Sequence, residues 1–145
     1  MFKKLLLLGA VAGLLAGIAS LIYQKVYSAS LGDGFTTIVK PVSVIAANVL
    51  GCLIAASGYM VLYKWLKDRG EIVFNFVFTI LSFASIVAPF AAKLPFDIEA
   101  PELFPGLVIP MHFFPALAWF TLKPLFIKTV HLQKDAIKTV SASNA

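Results

Sequence analysis

Four long stretches without a charged side chain, residues 5–24, 41–63, 72–92 and 103–122, constrain this chain more than any other feature. Each is about 20 residues long, the length needed to cross about 30 Å of hydrocarbon at about 1.5 Å per residue. A waterless slab leaves the backbone no partner but itself, so each stretch is expected to be a helical crossing. The roughly ten-residue alternating segments of a membrane β-barrel are absent from the sequence. The expected fold is all-α: an integral membrane antiparallel four-helix bundle in a single domain spanning 1–145, with both ends on the cytoplasmic side (N-in/C-in).

Composition agrees. The chain is 60% hydrophobic and 13% charged, with a mean hydropathy of +0.92, whereas soluble domains run about half apolar and a quarter charged. Orientation follows from the basic residues in the short flanks. Lys3, Lys4, Lys64, Lys67, Arg69, Lys123, Lys128, Lys134 and Lys138 fall on one side, and Lys25, Lys40 and Lys93 on the other. The first set is assigned to the cytoplasm. Tyr59, Tyr63, Trp65 and Trp119 are expected as an aromatic belt at the inner boundary, with Tyr23 and Tyr27 at the outer one.

Lys3-Lys4 ahead of an apolar run resembles a secretory signal peptide. The run is longer than a usual signal core, and it is read as an uncleaved anchor. The net charge of +5 is scattered along the ends of the spans rather than gathered on a face, which argues against nucleic acid and for anionic lipid headgroups. The single cysteine, Cys52, excludes an intrachain disulfide and a multi-cysteine metal site. It is expected to pack inertly.

Helix association in lipid depends on close backbone approach. Gly9, Gly13 and Gly17 share one face of the first span, and Ala47, Gly51 and Ala55, with Gly58 beyond, repeat the four-residue period in the second. These two faces are expected to pack together. Asn75, Thr79, Ser82 and Ser85 share a face of the third span that is expected to point into the bundle, and Pro89, Pro110 and Pro115 are candidate kinks. Gly70 suits a helix C-cap in the 64–71 connection. Gly32-Asp33-Gly34 is a turn within the 24–41 loop, and 129–145 is a polar cytoplasmic tail.

Chemistry is concentrated at the outer end. Residues 93–102 form an acidic cap with Asp97 and Glu99, ending at Glu102, and His112 lies one to two turns inside the fourth span. Intramembrane ionisable groups are candidates for function. Asn48, near mid-span, needs a polar partner. His112, Glu102, Glu99 and Asn48 are the candidate ligand-binding set. His131 falls on the opposite side of the membrane, and neither a metal site nor a cofactor is expected. No G-x-S-x-G, phosphate-binding glycine loop or H-E-x-x-H is present, so no catalytic residues are assigned and the chain is not expected to be an enzyme.

The expected function is that of an accessory or interaction subunit of a membrane assembly in a cell membrane, of the bacterial inner-membrane type. Its expected partners are membrane lipids and a homo-oligomer or larger complex. The alternative is a small carrier or binding protein whose outer-leaflet pocket surrounds His112.

Overall fold

The computed structural model describes residues 2–32, 34–94 and 100–127. Glu99, Asp97, His131, most of the expected cap and the 129–145 tail lie outside them. The described residues are helical with no strand. The helices are α1 (Phe2–Leu31), α2 (Pro41–Leu66), α3 (Asp68–Ala84), α4 (Val87–Ala91) and α5 (Phe104–Phe126), with a 3-10 turn at Pro101–Leu103 ahead of α5. Four segments, Phe2–Leu31, Pro41–Leu66, Arg69–Ala91 and Pro101–Phe126, are long and apolar enough to cross a membrane.

Each of these four segments runs past its uncharged stretch at one end or both. Lysine, glutamine and serine at the ends are good or tolerable helix residues, so loss of hydrophobicity does not end a helix. α1 ends at Gly32, which adopts φ +100° while its amide donates to the Ser28 carbonyl. The loop after it therefore runs from 32 to 40, shorter than the expected 24–41. Pro41 then starts α2, at a position where its missing donor costs nothing.

The α2–α3 turn also differs from expectation. Lys67, not Gly70, takes the left-handed backbone, at φ 50°. Gly70 lies inside α3, where a Cβ would fall on the Leu62 carbonyl and 2.8 Å from the Tyr63 Cα. Glycine is required there for close approach rather than for capping.

α1 and α2 run antiparallel: built Cβ atoms on Gly9, Gly13 and Gly17 meet Cys52, Val49 and Ile45 in turn. The glycine face of α1 is thus in close backbone contact with α2. The α2 side of that contact is Ile45, Asn48, Val49, Cys52 and Ala56, not the Ala47–Gly51–Ala55 stripe. Ala47 is exposed, Gly51 has no atom within 4 Å of a built Cβ, and Ala55 is buried. The helical period places both stripes correctly, but it does not say which face of α2 turns to α1.

The end that carries residue 2, the α2–α3 turn and residue 127 (the terminal end) has the densest core. Leu5, Leu8, Ala56, Tyr59, Phe74 and Trp119 are buried together there. Tyr59 and Trp119 are therefore core residues rather than belt residues, while Trp65 is 79% exposed. At the opposite end (the loop end), Phe35 packs on Phe104, Leu107 and Met111.

α3 is the outlying helix and buries mainly Phe74. Its polar stripe faces inward only in part: Asn75 accepts from Lys123 of α5, and Ser82 and Ser85 line a cavity shared with α2 and α5. Thr79 is exposed, and Thr79, Ser82 and Ser85 donate to their own helix at Asn75, Phe78 and Ser82 carbonyls. Back-bonding of this kind satisfies a hydroxyl without a neighbouring helix. Pro89 has a visible effect: α3 and α4 are separated at Ser85–Ile86, where i→i−3 bonds from Ile86 and Ala88 replace the helical pattern. α5 instead runs unbroken through Pro110, Pro115 and Pro124.

Candidate functional site

Proline in α5 sets up the loop-end site. Pro110 cannot donate to the Gly106 carbonyl, and the Tyr23 hydroxyl of α1 donates to it instead, at 2.9 Å. One turn away the Tyr27 hydroxyl donates to the Leu103 carbonyl at 2.7 Å. Gly106 permits this clamp, because a Cβ there would lie 2.8 Å from the Tyr27 hydroxyl oxygen. The start of α5 is thereby tied to α1, and a cleft is left between α5 and α2.

The cleft has a volume of about 480 Å³, within the range of small-molecule sites. Val44, Ala47 and Asn48 of α2 line one wall and Val108, Met111 and His112 of α5 the other, with Lys40 and Ser43 near the mouth. Two residues singled out in the sequence, Asn48 and His112, are brought to one cavity. Two are not: Glu102 is exposed in the 3-10 turn and does not line the cleft, and Glu99 is outside the described residues.

Asn48 is only 7% exposed. Its Nδ2 donates to the Val44 carbonyl at 2.7 Å, which fixes the amide orientation because a carbonyl can only accept. Its Oδ1 is buried with no partner among the described residues. A buried acceptor left unpaired costs about 1–3 kcal/mol.

The same reasoning sets the His112 tautomer. Nδ1 lies 2.8 Å from the Val108 carbonyl, so Nδ1 carries a proton and donates. Nε2 remains to accept when the ring is neutral and to donate when it is charged. The cleft is thus lined by an asparagine with an unpaired, buried acceptor and by an imidazole, with Lys40 and Ser43 as its other polar residues. Lys40 is the one charged group among its described lining residues, and no carboxylate lines it.

A second polar cluster, not foreseen from the sequence, lies at the terminal end. Lys123 of α5 is 7% exposed, yet its Nζ donates to Glu71 Oε1 at 2.9 Å and to Asn75 Oδ1 at 3.3 Å. It also sits 4.8 Å from the centroid of the Tyr59 ring, a cation–π distance. Glu71 and Lys123 border the third and fourth uncharged stretches at the same depth, and opposite charges at equal depth on neighbouring helices were the available signal. Among the described residues, no three His, Cys, Asp or Glu side chains are grouped to hold a metal ion.

No family model, curated protein or solved structure matches this chain, so the chemistry of the site is read from its own residues.

Proposed function

We propose that this protein is a polytopic protein of a cell membrane, of the bacterial inner-membrane type, whose four crossings place both ends in the cytoplasm. In its outer-leaflet cleft between α2 and α5 it binds an amphiphile with a hydroxylated, anionic head. The observation that carries this reading is that Asn48, whose buried Oδ1 has no partner among the described residues, lines a cleft together with His112. A hydroxyl on the ligand supplies the missing donor to Asn48, and a second hydrogen bond engages His112 Nε2. Lys40 at the mouth favours an anion and disfavours a cationic head. Among the described residues, six basic side chains at the terminal end (Lys3, Lys4, Lys64, Lys67, Arg69 and Lys123) against three at the loop end support the orientation. The accessory-subunit reading has no comparable support, because the exposed apolar face of α3 is served by acyl chains as well as by a protein.

Lysophosphatidylglycerol offers glycerol hydroxyls and a phosphate, and its retention by the full chain released from nanodiscs is measurable by native mass spectrometry. Asn48→Leu and His112→Ala are each expected to weaken binding tenfold or more. Lys40→Gln should weaken it less, and chiefly at low salt. Glu102→Gln should have no effect. Unchanged binding in both Asn48→Leu and His112→Ala overturns the proposal.

A further inference from the structure

The face of α2 expected to pack on α1 lies instead along two neighbouring cavities. Ala47 lines the cleft just described. Gly51, Ala55 and Gly58 line a second cavity, of about 360 Å³, between α2 and α3, walled by Leu62, Phe74 and Phe78 at its far end. His112 and Pro115 line both cavities, so the two lie next to each other on either side of those residues. One side is polar at the loop end and the other is apolar toward the terminal end. The Ser82 and Ser85 hydroxyls on the apolar side are turned back onto their own helix and present no unsatisfied donor.

We infer that the two cavities form one binding groove for a single-chain amphiphile, with the head at Asn48 and His112 and the hydrocarbon chain lying past Pro115 along the Gly51–Ala55–Gly58 stripe. This rests on the head-group site proposed above. The stripe alone would not define a site. Asn48, whose buried acceptor is unpartnered, lines the polar cavity beside His112 and marks where a polar head would be held.

The dimensions fit one chain rather than two. From Gly51 to Leu62 the groove follows α2 for about 16 Å at about 1.5 Å per residue. Its volume holds on the order of a dozen water-sized groups at about 30 Å³ each. A diacyl lipid has a second chain with no place in it. Gly51 borders the groove: nothing lies within 4 Å of a Cβ built on it, so there is room there for a methyl group, and only a longer side chain would fill the space.

Trp119 provides a reporter. Its ring lies 5.6 Å from that of Phe74 and 6.1 Å from that of Phe78, both of which wall the far end of the groove. In a Trp65→Phe background it is the sole tryptophan. The experiment places this full chain in nanodiscs of unbrominated phosphatidylcholine and titrates lysophosphatidylglycerol brominated either near the methyl end or near the carboxyl end of its chain. Methyl-end bromine is expected to quench Trp119 saturably, and carboxyl-end bromine to quench it far less. Gly51→Leu should abolish the saturable quenching and weaken binding tenfold or more, whereas Gly51→Ala keeps both.

If binding still depends on Asn48 and His112 but is indifferent to Gly51→Leu, and both probes quench equally, the head site stands and the chain groove is overturned. If Asn48→Leu and His112→Ala leave binding unchanged, the head site itself fails. Quenching that rises without saturation marks ordinary bilayer lipid against α3 and overturns the inference.

Discussion

α2 presents small or slender residues to two sides, and the two sides meet opposite fates. Toward α1, three glycines bring the backbones so close that a Cβ on Gly13 would fall 2.5 Å from the Val49 Cα. Toward α3 and α5, Gly51 sees open space. α2 therefore has a close seam on one side and a groove on the other. What differs is the partner. α1 answers with glycines of its own, whereas α3 and α5 answer with phenylalanine, histidine and proline, whose bulk and missing donors hold the backbones apart. The glycine stripe of α1 makes a seam against a face of α2 that has no such stripe, whereas the small-residue stripe of α2 meets bulky side chains and makes none.

The largest expected effect tests the seam. Gly13→Ala forces α1 away from backbone atoms of α2 that cannot rotate aside, and it is expected to cost about 3 kcal/mol, the upper end for overpacking. Reversible unfolding in bicelles measures it. A cost indistinguishable from zero would mean that the seam is loose and that the two sides of α2 are alike.

Next in size is the fastening at the closed end of the groove. Lys123 holds Glu71 and Asn75 of α3 against α5, and losing either charged partner has unequal consequences. Glu71→Ala leaves a 7% exposed ammonium with only a neutral oxygen and an aromatic face, at an expected cost of about 2 kcal/mol. Lys123→Met keeps the buried stem and leaves Glu71, whose side chain is 40% exposed, free to turn to water. That variant is expected to cost less than half as much. Equal costs would show that the pair acts through charge alone and does not depend on burial.

Asn48 stands where the two sides meet. Its backbone carbonyl lies against Gly13 and its side chain lines the cleft. Asn48→Leu removes an unpaired acceptor without removing an interhelical bond, because Nδ2 donates only to Val44 of its own helix. The variant is expected to gain about 1 kcal/mol while losing ligand. Destabilisation by that variant would identify Asn48 as part of the seam and place it on the α1 side of the comparison.

The four long apolar helices were legible from sequence because an uncharged run of this length has a single backbone solution in hydrocarbon, and that solution needs no knowledge of neighbours. His112 and Asn48 were legible as candidates because a polar group in such a run has to be accounted for. Their meeting in one cleft was not, since it depends on the rotation of α2 about its axis. Packing of Ile45, Val49 and Cys52 against the α1 glycines sets that rotation, and those residues carry no distinguishing pattern. The Lys123–Glu71 pair was hidden for a related reason. Both residues border the spans, where a charge normally faces water, and only the approach of α3 to α5 buries the lysine.

The smallest effect is the most direct comparison of the two sides, because it repeats the Gly13 substitution on the other face. Gly51→Ala places a methyl group where no atom lies within 4 Å, in the interior of a continuous helix. Alanine loses less backbone freedom on folding than glycine, so a gain of about 0.5 kcal/mol is expected. Gly51 and Gly13 share residue type and helical surroundings, so propensity contributes equally to both, and the difference of about 3.5 kcal/mol between the two substitutions isolates the space around the Cβ. Should Gly51→Ala prove as costly as Gly13→Ala, α3 packs against α2 at this level, the groove does not extend past Pro115, and the chain of any bound amphiphile must lie on the outer surface of the bundle.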